Sequence, residues 1–421
     1  MKLLRVLIFL IIVIFFLGPP GIEVKADTKR SASEKLLTKI DKGWIKETMR
    51  VSPDVRKVAY VVQEEKRFFV VINGEKGKPY EGIGEGTITF SPDGKKVAYA
   101  AQRSGKWFLI LNSSERGPFE AIGALRFSPD GEKLAYVIKK PNGLFVINDG
   151  KEDGPYDSVG EPVFSPDSKR LAHPAKKGKR EIFVVIDQKA GQIFDDIGRN
   201  TIVFSPDSRR VSYIASKDRG WHVVMENERI SGPFDGIGHV VFSPDSRRFA
   251  YPIKRGVKLF IVINGKESQE YEAAGDPVFS PDGKRVAYAF QKGGKWVVNV
   301  DGKAGKSYDM AGDIVFSPDS KRIAYVARKG EGWTVVSDGA EGKFYPSIGK
   351  SILTFSPDSR CLAYNVKKND KWTLVINKTE GNLYDGIVTL GGGKVIFDTP
   401  DKLHYIAIKE GAFYLIEESL K

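Results

Sequence analysis

Nine copies of Ser-Pro-Asp are the most numerous candidates for chemistry in this chain, with the aspartate at 54, 93, 130, 167, 207, 245, 282, 319 and 358. A serine hydroxyl two residues from a carboxylate could act as a nucleophile if a base stood beside it. That chemistry needs one activated hydroxyl, a base and a group to orient the base. Nine equivalent pairs cannot all be catalytic, and the four histidines (His173, His222, His239 and His404) do not recur with them. The Gly-X-Ser-X-Gly elbow of α/β-hydrolases is also absent. Ser-Pro-Asp-Gly/Ser is instead turn chemistry, in which proline presets φ and aspartate accepts from the following backbone N–H groups.

Metal and thiol chemistry are equally restricted. The single Cys361 excludes an intrachain disulfide and any Cys-built zinc or iron–sulfur centre. It predicts a free thiol or an intermolecular disulfide. The histidine spacing forms no metal site, so neither cofactor nor metal is expected. His173, His222 and His404 fall inside predicted strands and read as packed or edge residues, whereas His239 falls in a loop.

The elements that position these residues follow from the period. Successive aspartates are 39, 37, 37, 40, 38, 37, 37 and 39 residues apart, and such a repeat means a solenoid, a propeller or an array. In the unit around Asp93, Thr87–Phe90, Lys96–Ala101, Trp107–Leu111 and Pro118–Ile122 read as four short strands separated by Gly, Pro, Asp and Asn turns. No amphipathic helical period of useful length is present. Four antiparallel strands per unit is the content of a propeller blade. A degenerate tenth unit spans Lys394 to Ile416 and lacks the aromatic–acid pair, as in Tyr80-Glu81, that closes eight of the other nine, Tyr345-Pro346 being the departure. Residues Lys39–Val51 align with Pro79–Phe90, so the N-terminus is expected to complete the last blade. The fold class is therefore all-β, a single large β-propeller of about ten four-stranded units, with two stacked smaller propellers as the alternative. With 41% hydrophobic residues in 421, wholesale disorder is excluded.

Residues 1–26 stand apart. Lys2 and Arg5 precede the apolar run Val6–Leu17, Gly18-Pro19-Pro20 breaks it, and Val24-Lys25-Ala26 offers small residues at a cleavage site. Twelve apolar residues are short for a bilayer, which favours a cleaved signal peptide over an uncleaved anchor. The predicted organisation is a signal peptide at 1–26, a short segment at 27–39 and the propeller at 40–421. The chain is expected to be exported, to the periplasm or beyond.

The repeated Phe-Ser-Pro-Asp-Gly/Ser-Lys-Arg-X-Ala-Tyr resembles the repeat of TolB-type β-propellers, relatives of the tryptophan–aspartate repeat propellers. The resemblance covers about residues 40–421, with no room for the small α/β domain that precedes the propeller in that family. It implies that the loops after each blade's closing Gly cross from rim to centre. Glu85, Glu161, Arg199, His239, Asp276, Asp313 and Lys350 would then surround the channel mouth and contact a polar ligand or a protein. Trp107, Trp221, Trp296, Trp333 and Trp372 start third strands at one repeat position, which marks packing between blades.

Basic residues follow the turns regularly. Two and three residues after the aspartates stand Arg56-Lys57, Lys95-Lys96, Glu132-Lys133, Lys169-Arg170, Arg209-Arg210, Arg247-Arg248, Lys284-Arg285, Lys321-Arg322 and Arg360-Cys361. In a closed ring they would form a basic rim, suited to steering an anionic partner. The overall charge is +13. No nucleic-acid partner is expected, because the chain reads as exported and no recognition motif is present. The expected function is a non-catalytic binding or assembly scaffold for a protein or an anionic envelope polymer. The competing reading is an envelope hydrolase or lyase acting on a polysaccharide or peptide at the channel mouth.

Overall fold

The computed structural model describes residues 30–226, 228–349 and 353–420. The predicted signal peptide and Lys350 lie outside them. Every regular element among the described residues is a strand, and the strands form ten antiparallel sheets in chain order, a ten-bladed β-propeller. Blade 1 is Trp44–Val51, Val58–Glu64, Arg67–Ile72 and Glu75–Lys76. In seven blades the first, innermost strand is split; blade 2 has Gly82–Ile83 and Thr89–Phe90, both paired to Val97–Arg103. In blade 2 the break is bridged by a threonine side chain. Thr87 Oγ1 donates to Gly84 O at 2.7 Å and accepts from Ala100 N–H at 3.1 Å, standing in for a ladder bond. Thr201 does the same for Ile214 in blade 5, and Thr48 does so for Val61 at the register shift inside Trp44–Val51.

Alternating β-branched and aromatic residues give each sheet two apolar faces, and each face packs on a neighbouring blade. The core is a ring of inter-blade clusters: Tyr80, Phe90 and Tyr99 with Val61 and Val70 between blades 1 and 2, and Val223 and Phe234 with Phe242 and Tyr251 between blades 5 and 6. Tyr60 and Val62 meet Ile406 and Phe413 between blade 1 and blade 10. Contact between blades 5 and 6 and between 10 and 1 is the connectivity of one ring, not of two stacked five-bladed ones. The five third-strand tryptophans are half-buried, each opposite the fourth-strand aromatic, as Trp296 is opposite Tyr308.

The ring closes through Arg30–Lys39, which pairs antiparallel with Ala412–Leu420 in register Arg30↔Leu420. From Arg30 onward, the segment set apart at 27–39 is thus the outer strand of blade 10. It carries none of the repeat's motif because it pairs along one edge and makes no turn of its own. Its first residue is a lock. Arg30 lies 2.6 Å from Glu418, with side chains 7% and 2% exposed, and donates to Leu374 O and Thr379 O in blade 9. Tyr405 OH donates to the other Glu418 oxygen at 2.7 Å.

Candidate functional site

The Ser-Pro-Asp groups are consumed by their own turns. Each serine is fully buried, donates to the aspartate Oδ1 (2.6 Å for Ser91 to Asp93) and accepts the backbone N–H of the residue five on. A second backbone N–H binds the carboxylate, as Lys95 N does at 3.1 Å. The serine bond, then the backbone bond, hold the Asp93 carboxyl below the usual carboxylate range. Each hydroxyl proton is committed to a carboxylate that is itself tied into the turn backbone, so these groups do turn work.

The basic pairs divide into two groups. The first member of each pair, Arg56, Lys95, Lys169, Arg209, Arg247, Lys284, Lys321 or Arg360, is exposed, as is Glu132. The second is half-buried and reaches across to the next blade. Lys57, Lys96 and Lys133 each donate to one main-chain carbonyl of the next turn, at 2.9–3.0 Å (Gly94, Gly131 and Ser168). Arg170, Arg248, Arg285 and Arg322 each straddle two such carbonyls, and Arg210 donates to Ser246 O. Their guanidinium planes lie 5.0–5.4 Å from the next blade's Phe204, Phe242, Phe279, Phe316 or Phe355. Where the turn is Ser-Pro-Asp-Ser, the last serine also accepts the backbone N–H of the previous blade's aspartate, as Ser359 does from Asp319 at 3.0 Å. Half of the predicted rim is therefore inter-blade latching; the other half is exposed, with Arg56 paired across the seam to Glu417 at 3.1 Å and Asp398 at 3.5 Å, and Lys95 and Arg360 each 3.7 Å from the aspartate of their own turn. At Cys361 the latch is missing; the half-buried thiol accepts from Asn377 Nδ2 at 3.7 Å, and burial pushes its pKa up.

The loop residues predicted to surround the channel mouth fall into separate groups. Glu161 and Arg199 line one cleft of about 390 Å³ with Pro162, Pro174 and Asn200, and Arg126 pairs with Glu161 there. His239 Nδ1 lies 2.9 Å from Asp276 Oδ2, both exposed. Asp313 is exposed at φ +50°. Glu85 lines a smaller cleft beside Arg50. Arg50 and Arg126 were missed by sequence reasoning. They precede the residue that ends the inner strand, where the other units carry Thr89, Val163, Val203, Val241, Val278, Val315, Thr354 or Ile396. That substitution of charge for aliphatic or threonine was the available signal.

The other histidines are structural. His173, 1% exposed, stands in the tyrosine position and contacts Asp153 at 2.9 Å, while Tyr156 OH donates to the other Asp153 oxygen. Burial would raise the Asp153 carboxyl, but these bonds outweigh it and leave it below its usual range. His404 bridges Asp398 and the Asp54 carbonyl, both at 2.8 Å, and so takes over the latch at the seam. His222 is buried in a third strand. Among the described residues no group of three His, Cys, Asp or Glu is arranged to hold a metal ion.

No protein-family model matches the chain, and no curated protein matches it. Solved structures that resemble it include a eukaryotic initiation factor, at 16% identity and a TM-score of 0.44, over 76% of this chain and 93% of that one. Dihydro-heme d1 dehydrogenase NirN in complex with DHE aligns at 16% identity and a TM-score of 0.37, over 70% and 74%. TolB from Acinetobacter baumannii aligns at 15% identity and a TM-score of 0.27, over 61% and 77%. The conclusion is one of architecture: the chain is a ten-bladed β-propeller, and TolB is among its structural neighbours.

Proposed function

We propose that this chain is an exported, non-catalytic scaffold, TolB-like in its repeat, that offers a propeller face to a protein or an anionic envelope polymer. The observation that carries this reading is the fate of the reactive groups. All nine Ser-Pro-Asp serines are buried in turn hydrogen bonds, and three of four histidines are buried, two of them in fixed hydrogen bonds. What stays accessible is a ring of exposed charges and a set of surface clefts lined by loop residues such as Glu161 and Arg199. A rigid disc with such a surface suits recognition. Export rests on the leader at residues 1–26.

The test is capture of envelope components on the immobilised chain, followed by washes of rising salt. One protein retained through moderate salt supports the scaffold. Anionic material released early reduces the rim to electrostatic steering. A second reading, hydrolysis or lysis of a polysaccharide or peptide at the channel mouth, draws on the exposed His239–Asp276 pair. His239→Ala abolishing turnover of such a polymer would favour it.

A further inference from the structure

The inner strands of the ten blades place one residue each just before the strand-ending Phe or Val, and the ring reads Arg50, Thr89, Arg126, then aliphatic or threonine to its end. All ten are half-buried. Where the packing resolves it, this residue leans on the next blade, as Val203 and Val315 do. Charge enters the ring at two positions only, flanking blade 2 on both sides. Arg50 and Arg126 line one cleft of about 310 Å³ over that blade, with Thr89, Gly86, Ile88 and Pro53. A Cβ added at Gly86 would meet nothing within 4 Å, which leaves the floor open.

Both guanidiniums keep donors in reserve. Arg50 uses Nη1 alone, on its own backbone, at Met49 O (2.8 Å) and Glu47 O (3.3 Å), and has no acid partner among the described residues. Arg126 uses Nη1 on Leu125 O and Nη2 on Glu161, leaving Nε. The Thr89 hydroxyl makes no hydrogen bond among the described residues. An arginine fork delivers parallel N–H bonds to oxygens of a planar or tetrahedral anion. One largely free fork, a second guanidinium shared with Glu161 and a hydroxyl lining one cleft from three strands suit a group with more than two acceptor oxygens.

We propose that this cleft binds a tetrahedral oxyanion, a phosphate or sulfate group, carried by a small molecule or by an anionic polymer. This rests on the binding reading above and names the chemical group bound. Glu161 competes for Arg126 and thereby sets the affinity.

The test is titration of the purified protein with inorganic phosphate and, separately, dimethyl phosphate, followed by calorimetry at fixed ionic strength. A saturable site is expected. Arg50→Gln and Arg126→Gln should each weaken it about tenfold, the scale of a charged hydrogen bond, and Thr89→Val should weaken it while leaving the charge intact. Glu161→Gln should strengthen it, whereas Arg247→Gln on the free rim should leave it unchanged. Binding of dimethyl phosphate as well assigns the group to an internal diester, and binding of inorganic phosphate alone to a terminal phosphate. Absence of saturable binding, equal binding by the Arg50 and Arg126 variants and wild type, or an equal loss in Arg247→Gln overturns the oxyanion site. None of these results would remove a salt-resistant partner captured on the disc, so the scaffold reading fails separately.

Discussion

Replacing Arg322 by alanine should destabilise the ring far more than replacing its neighbour Lys321, although a sequence comparison gives them equal standing. Arg322 Nη1 holds Ser359 O at 2.9 Å and Arg360 O at 3.1 Å, Nε holds Asp338 at 2.9 Å, and the guanidinium lies 5.1 Å from the Phe355 ring. With the side chain 26% exposed, the two carbonyl bonds contribute about 1–2 kcal/mol together after solvent screening. The ring contact adds roughly 0.5–1 kcal/mol and the half-exposed Asp338 pair about 0.5 kcal/mol. The loss is thus about 2–3 kcal/mol. For a chain of this size the unfolding entropy is roughly 0.8 kcal/mol/K, so Tm should fall by about 3 °C. Lys321 makes no side-chain bond among the described residues, and Lys321→Ala should stay within about 0.5 kcal/mol. Arg322→Lys should recover about half of the loss, since Lys133 holds one carbonyl in the equivalent position at 3.0 Å. Urea and thermal unfolding of the three variants measure this directly. Equal shifts for Arg322→Ala and Lys321→Ala would refute the latch.

Three more perturbations test the ring. Arg30→Met leaves Glu418 buried without its cation and should lower the urea midpoint by an amount equivalent to about 3–5 kcal/mol; adding Glu418→Gln should restore part of it. Glu380 is held by Lys343 first and then Lys368, which bring its carboxyl down to about 2 from a usual 4.5. A depressed carboxylate contributes stability above its unfolded value and loses it as pH falls through the folded one. About 2 kcal/mol, discounted for partial exposure, should therefore disappear between roughly pH 4.5 and 2, and the acid limb of a Tm-against-pH curve should flatten in Glu380→Gln. Cys361, half-buried with its thiol pKa raised, should react with a disulfide reagent more slowly than a free exposed thiol. Identical gel mobility with and without reductant would show that it forms no intermolecular bond.

By itself the amino-acid sequence determined the repeat, the all-β class and the turn role of Ser-Pro-Asp, because each is a local matter. A proline, an aspartate and a small residue act on their own backbone, and four short apolar runs per period name the blade. The unit count was local too, down to the tenth unit without its aromatic–acid pair. The tertiary structure decided what each basic residue does. The partner of Arg285 or Arg322 is a main-chain carbonyl some 35 to 38 positions away, and since every residue carries a carbonyl, no side-chain pattern announces it. Closure by the N-terminus was legible from the missing fourth strand of the tenth unit, but the strand that does it, Arg30–Lys39, fell in the segment set apart, because backbone pairing along one edge asks for no motif. Arg50 and Arg126 lie far apart in sequence and line one cleft only because a blade folds between them. Local turn chemistry writes the blade, and ring closure alone chooses which of its charges meet a neighbour and which stay exposed.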